Sequence, residues 1–346
     1  MNLSARIDLL GTLGKLLARF LENPNGSAFG FALQEKIIEA QQKNNWFTQE
    51  NSMHCLIYWA SVLKKDLLEE WIGNYELVER DKTVGIVMAG NIPMVGFHDL
   101  LCVFLVGHKA LIKTSSKDDV LIPFLINELC ELEPKLKSII TFAKKLENFD
   151  AVIATGSNNT ARYFELYFKK TPSIIRKNRT SLAVLTGNES SDELKELSND
   201  VFSYFGLGCR SVTKVYLPSG YELKKIFEAF YHHNAIQNHH KYANNYTYHK
   251  AIYLMNQDNI YDNGFFLLKN DASLFSPISC LFYEEYNNLE ELETELIEKA
   301  DQIQTIVSKK NVLTNTHTLS FGETQQPNLN DYPDRVDVIS FLIGLN

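Results

Sequence analysis

No stretch of this sequence approaches the roughly 18 consecutive apolar residues that a membrane-spanning helix requires. Its opening, MNLSARIDLLGTLGKLLARF, breaks every apolar run with a charge, so the expectation is a soluble, unexported chain. Cysteine is scarce: five residues, Cys55, Cys102, Cys130, Cys209 and Cys280, odd in number, far apart and without a Cys-x-x-Cys pair. That spacing argues against both a disulfide framework and a zinc site, and makes a reducing cytoplasm the expected compartment. Positive charge is also short. With Lys+Arg 34 against Asp+Glu 42 and a net charge of -8, the composition supplies no basic face for phosphate neutralisation, which weighs against nucleic acid as a partner. Neither an internal repeat nor a low-complexity linker is evident. What remains is a chain of 346 residues, about twice a typical domain, with enough apolar content for two substantial cores.

From Leu3 to about Tyr75 the apolar residues recur at helical spacing in three blocks, broken by NPNGS and NNWFTQEN, where Thr48 and Glu50 form a capping signal. The pattern then changes. Short apolar runs, VGIVMA, KALIK, IITFA, FDAVIAT, PSIIR and SLAVLTG, alternate with helical segments expected from about Met94 to Val106 and from about Asp118 to Leu132. Such alternation favours a parallel sheet covered on both faces. After Gly187, SSDELKELSNDVFSYF reads as a capped helix that leads to Gly206-Leu207-Gly208-Cys209. A second set follows, with strands expected at SVTKVYL, AIYLM, FFLL, ISCLFY and TIVS. The expected domains are residues 1–187, residues 188–315 bearing Cys209, and a tail, 316–346, that docks back onto the sheets.

Cys209 stands apart from the other four cysteines. Those sit in apolar patterns (CLIYW, LLCVFL, NELCEL, ISCLFY), where packing explains them. Cys209 follows a Gly-x-Gly, where the backbone can turn to expose a thiol and let a substrate approach; a small residue behind a turn is the equally weighted alternative. Three further segments close strands at one type of edge, where open α/β sheets bind ligands. In VGIVMAGNIP, Asn91 could donate to an oxyanion, although a turn-forming Asn is the commoner case. In ALIKTSSKD, Lys113 ends a strand. In VIATGSNNTAR, Gly156 and Ser157 open a helix whose N–H groups suit a phosphate.

The ordered set AGNIP, IKTSS, ATGS and GLGC resembles the aldehyde dehydrogenase superfamily, and with the C-terminal FGETQQP and DYPDRVDVISFL it is most similar to the acyl-CoA reductase branch, the LuxC-like fatty-acid reductases of bacterial luminescence. The resemblance runs from about Asn45 onward. It implies an aldehyde dehydrogenase-like α/β fold, two doubly wound domains behind a helical N-terminal preface, and reduction of an acyl-CoA to an aldehyde through a covalent acyl-cysteine. Carried over residue by residue, it makes Cys209 the nucleophile, Asn91 an oxyanion donor, Lys113 the partner of the adenosine ribose, and Gly156 with Ser157 the holders of the pyrophosphate. The relatives also imply an acyl-transferase as a candidate partner, and they leave a homo-oligomer open.

The departures carry information too. Ser116 stands where NAD-preferring relatives have a Glu that repels a 2'-phosphate, so NADPH is the expected cofactor, with Lys117 as a phosphate partner. Arg176 stands at the place of the hydrolytic members' general base, and an arginine cannot take that role near neutral pH. Ser273 replaces a Glu that touches the nicotinamide ribose. Two alternatives stay open: an aldehyde or semialdehyde dehydrogenase making acid or acyl phosphate, and an inactive nucleotide-binding scaffold. The histidine-rich stretch His232 to His249 reads as polar surface rather than a metal site, since adjacent pairs diverge on a helix or strand.

Overall fold

Polar caps start the N-terminal helices where the apolar periodicity begins. In the computed structural model, which describes residues 1–77 and 81–345, Asn2 caps α1 (Leu3–Glu22), Ser27 caps α2 (Ala28–Lys43) and Thr48 caps α3 (Gln49–Val62), each side chain accepting a backbone N–H of the first turn. Helix α4 (Lys65–Gly73) completes this preface. Gly14 lies inside α1 because a Cβ there would sit 2.1 Å from the Leu63 carbonyl oxygen, so the end of α3 approaches backbone to backbone.

The chain divides into two units, one formed by residues 1–178 with the stretch from Asn328 onward, the other by Arg179–Pro327. The first holds a five-stranded parallel sheet in the order β3-β2-β1-β4-β5, built from β1 (Thr83–Val87), β2 (Lys109–Lys113), β3 (Ile140–Phe142), β4 (Ala151–Thr155) and β5 (Ser173–Arg176). Helices α5 (Phe97–Val106), α6 (Leu121–Leu132) and α7 (Asn158–Tyr167) connect the strands. Strands β1 and β4 are almost wholly buried, as near-continuous apolar runs in a sheet covered on both faces should be.

In the second unit, β6 (Thr180–Val184), β7 (Val212–Pro218), β8 (Ile260–Asp262), β9 (Leu267–Asn270), β10 (Cys280–Tyr286) and β11 (Ile303–Ser308) form a sheet ordered β11-β6-β7-β10-β9-β8, parallel except for β8. Its helices are α8 (Ser191–Phe202), α9 (Lys224–Phe230), α10 (His240–Met255) and α11 (Leu289–Glu298). The expected α/β architecture behind a helical preface is the observed one.

Four local expectations differ from the structure. SLAVLTG, placed with the first domain, supplies β6, which pairs with β7 and β11 and so belongs to the second sheet. The expected tail is shared: residues up to Pro327 stay with the second unit, and α12 (Val338–Ile343) packs in the first, where His108 Nε2 hydrogen-bonds the Leu342 carbonyl at 3.1 Å. AIYLM, expected as a strand, is the last turn and a half of α10, because Tyr253 continues the buried face begun by Tyr242. Helices α5 and α6 begin three residues later than expected, for a reason that belongs to the site.

Candidate active site

In the first unit, the residues singled out by the sequence gather at the carboxyl edge of the sheet. Register pairs Val87 with both Lys113 and Ala154, and Thr155 with Arg176, so β1, β2, β4 and β5 end at one level. Lys113 is the exposed last residue of β2, and its carbonyl accepts the Met88 N–H at 3.0 Å. Beyond it, Ser115 to Asp118 form a tight turn: the Asp118 N–H donates to the Ser115 carbonyl at 3.0 Å and the Lys117 N–H to Ser115 Oγ at 3.2 Å. Ser116 and Lys117 are the exposed middle residues of that turn.

The Asn91 loop lies directly against it. A Cβ on Gly90 would fall 2.5 Å from Ser115 Oγ and 3.2 Å from Lys117 Cβ, which only glycine avoids. Asn91 is exposed; Pro93 and Met94 behind it are buried. Met94 has a left-handed backbone, φ 57°, and its N–H donates to Asp118 Oδ2 at 2.8 Å. That conformation keeps residues 94–96 out of α5, which starts only at Phe97. Asp118 is likewise held outside α6. It is 4% exposed, its Oδ1 has no hydrogen-bond partner among the described residues, and burial pushes its carboxyl up to about 7. Sequence inspection missed this carboxylate; the available signal was an acid directly after a strand-end turn rather than in a helix cap.

At β4, Gly156 donates its N–H to the Arg176 carbonyl at 3.3 Å, and a Cβ there would come within 2.9 Å of Thr160 Cβ. Ser157 is the N-cap of α7: its Oγ accepts the Thr160 N–H at 3.3 Å and lies 2.9 Å from Thr160 Oγ1. Both residues therefore already have partners at the helix start. Arg176 is buried in an ion pair with Asp99 of α5, leaving Nε and Nη2 without hydrogen-bond partners among the described residues.

In the second unit, the Ser190 hydroxyl and the Glu193 carboxylate cap α8 reciprocally. The helix gives way to a short 3-10 turn in which Tyr204 (φ 53°), Phe205 (φ 58°) and Gly206 (φ 75°) are all left-handed. Two consecutive non-glycine residues in that region store strain, a feature that clusters at functional sites. Phe205 stacks on His239, ring centroids 4.4 Å apart. Gly208 is buried, and the Cys209 carbonyl accepts the Ser181 hydroxyl at 3.0 Å, which ties the hinge to the start of β6. Cys209 is partly exposed, whereas the other four cysteines are buried. Burial pushes the Cys280 thiol up to about 12 and raises those of Cys55, Cys102 and Cys130. Such thiols are poor nucleophiles.

A second carboxylate missed in the sequence, Asp200 of α8, accepts the Gly322 N–H (2.7 Å), the Thr324 N–H (3.0 Å) and the Thr324 hydroxyl (2.8 Å). It fastens the FGET turn to the helix that delivers Cys209. Ser273 sits in a turn, its N–H donated to Asp271 at 2.9 Å. Three of the histidines bond locally: His232 bonds the Ala229 carbonyl, His233 bonds Asn199, and His239 caps α10. Among the described residues, no group of three or more His, Cys, Asp or Glu side chains converges.

The model of the LuxC acyl-CoA reductase family matches residues 60–233, half of the chain. The chain belongs to that family. No curated protein matches it by sequence. Solved structures extend the LuxC assignment to the fold. Aldehyde dehydrogenase 21 from Physcomitrella patens, in complex with its product succinate, is similar with a TM-score of 0.63 at 12% identity, over 99% of this chain and 84% of that one. An NAD-dependent benzaldehyde dehydrogenase from Corynebacterium glutamicum gives 0.64 at 12% identity, over 90% and 77%. The NAD+ complex of an aldehyde dehydrogenase from Bacillus cereus gives 0.58 at 12% identity, over 89% and 72%. This LuxC-family chain thus has the aldehyde dehydrogenase fold, and the family's chemistry is that of an oxidoreductase. Among the described residues no helix is long and apolar enough to cross a membrane.

Proposed function

We propose that the protein reduces an acyl-CoA to an aldehyde with NADPH, through an acyl group carried on Cys209. The observation that carries the proposal is the contrast among its thiols: in a LuxC-family chain, the cysteine after the strained left-handed turn is the partly exposed one, and the four others are buried.

The residues at the first sheet's carboxyl edge suit a phosphorylated dinucleotide. Lys113 and the exposed Ser116–Lys117 turn offer two cations and a hydroxyl. The acids that follow are engaged elsewhere, Asp118 with Met94 and Asp119 with Lys43 at 3.1 Å. With Ser116 in place of a carboxylate, a 2'-phosphate meets no repulsion. The glycine at 156 keeps the β4–α7 turn tight enough for backbone to approach the pyrophosphate, with Ser157 beside it.

In the proposed reaction the Cys209 thiolate attacks the thioester carbonyl, and Asn91 donates a hydrogen bond to the tetrahedral oxyanion. Re-forming the carbonyl breaks the bond to coenzyme A, which leaves as its thiolate and takes a proton from solvent. The dinucleotide, when bound, supplies a hydride to the acyl carbon. Collapse of the thiohemiacetal then releases the aldehyde and returns the thiolate to Cys209. Arg176 favours this outcome over hydrolysis: at the family's general-base position it is paired with Asp99 and has no basic lone pair with which to activate water. An acyl-CoA is the partner this chemistry requires.

The test is mass spectrometry of protein mixed with acyl-CoA in the absence of reduced cofactor. The expected result is one acyl adduct, mapped to Cys209 and missing from Cys209→Ala, which also loses aldehyde formation while still binding NADPH. Acyl-CoA reduction at the normal rate by Cys209→Ala would refute the proposal.

A further inference from the structure

The turn that offers Ser116 and Lys117 to the dinucleotide also ends in the carboxylate that holds the Asn91 loop. Asp118 closes the turn through its N–H to the Ser115 carbonyl, and through Oδ2 it accepts the Met94 N–H across to the neighbouring loop. Two more contacts join the loops: Gly90 lies against Ser115, and Met88 bonds the Lys113 carbonyl. The back of the assembly is fixed by the α2–α3 region, where Asn44 Nδ2 donates to the Lys117 carbonyl at 3.3 Å and Cys55 Sγ to the Pro93 carbonyl at 3.3 Å. Met94 needs such an anchor, because its left-handed backbone is unfavourable for an unbranched L-residue unless something holds it. Displacing Ser116 or Lys117 therefore displaces Asp118, and Asp118 carries Met94 and the loop of Asn91 with it.

We infer that Asp118 is a positioning residue that links dinucleotide binding on the 115–118 turn to the placement of Asn91 for acylation of Cys209. This rests on the proposed acyl-cysteine chemistry. It requires Asp118 as a hydrogen-bond acceptor, not as a charge. The substitution Asp118→Asn would keep the Met94 contact through the new amide oxygen, and Asp118→Ala would remove it. A misplacement of about 1 Å in a catalytic group can cost roughly 100-fold in rate.

The experiment measures single-turnover formation of the Cys209 adduct from octanoyl-CoA, with and without NADP+, which occupies the cofactor site without reducing the adduct. In the parent protein NADP+ should accelerate acylation. Asp118→Ala should lose that acceleration and acylate about 10- to 100-fold more slowly in its presence, with NADP+ affinity close to the parent's. Asp118→Asn should restore both the rate and the acceleration. Gly90→Ala, whose Cβ would press on Ser115 and Lys117 and push the two loops apart while leaving the Asp118 side chain in place, should uncouple them in the same way and gives a second route if Asp118→Ala folds poorly. Parent-like acceleration in both Asp118→Ala and Gly90→Ala overturns the inference, as does an Asp118→Asn variant no better than Asp118→Ala. A parent protein that forms no Cys209 adduct overturns the proposed function first, and this inference with it.

Discussion

At the scale of single residues, the proposed preference for NADPH turns on one hydroxyl. Ser116 lies exposed in the middle of the 115–118 turn, beside Lys117. A carboxylate placed there would repel a 2'-phosphate and offer an acceptor to a 2'-hydroxyl, so specificity would change by added repulsion as well as by added attraction. Ser116→Glu should lower the NADPH-to-NADH ratio of kcat/KM by about 10-fold or more, which corresponds to about 1.4 kcal/mol. Parallel steady-state assays with the two cofactors measure it, and an unchanged ratio would remove Ser116 from the cofactor site. The same scale explains why Asp118 and Asp200 escaped notice: each is an ordinary acid in sequence, and its meaning comes from the backbone N–H groups it meets in space.

Among elements, α8 matters most because it ends at the Cys209 hinge. Asp200 binds it to the turn at Gly322 and Thr324, and burial outweighs those hydrogen bonds, pushing the carboxyl up to about 6 from its ordinary value near 4. A group with a raised folded-state value holds its proton more tightly in the folded chain. Its contribution to stability is therefore complete below pH 4 and is lost as pH rises through 6. Between pH 4 and pH 7 the parent should lose about 2 kcal/mol relative to Asp200→Asn, which has no proton to release. Urea unfolding of the two proteins across that range measures the difference; a parent whose stability relative to Asp200→Asn does not fall as pH rises would place the Asp200 titration elsewhere. The AIYLM segment teaches the complementary lesson. Its five apolar residues satisfy a strand pattern, but α10 already buries Tyr242 and Tyr253 on one face, with Ile252 beside Tyr253 against Leu267 and Phe282. Continuing the helix buries Tyr253 without a new sheet partner and leaves Leu254 and Met255 exposed.

For the molecule as a whole, the C-terminal stretch is structural rather than appended. The Trp71 indole N–H donates to the Tyr332 hydroxyl at 2.9 Å, Tyr75 bonds both Tyr332 (2.8 Å) and Asp337 (3.0 Å), and His98 reaches the Leu329 carbonyl at 2.8 Å. Val338, Ile339 and Leu342 are completely buried. Ending the chain at Pro327 would remove those three side chains, each worth about 1.5–3 kcal/mol of burial, and strip the partners from Trp71 and Tyr75. The truncated protein should lose about 5 kcal/mol or more from the first unit. In calorimetry that appears as a separate, earlier transition, and an unshifted profile would show that the first unit stands without its tail.

Local pattern carried much of this protein. Apolar periodicity and caps such as Thr48 and Ser190 marked the helices, continuous apolar runs marked the buried parallel strands, and the order AGNIP, IKTSS, ATGS, GLGC marked the family and the exceptional cysteine. These are decided by bonding and burial within a few residues, so they can be read along the chain. The tertiary structure alone decided that SLAVLTG joins the second sheet, that the tail from Asn328 returns to the first unit, that Arg176 is spent on Asp99, and that Asp118 grips Met94. Each of those depends on a partner distant in sequence, or on a backbone angle that its own residue does not favour. Only the folded chain brings the partner within hydrogen-bonding distance.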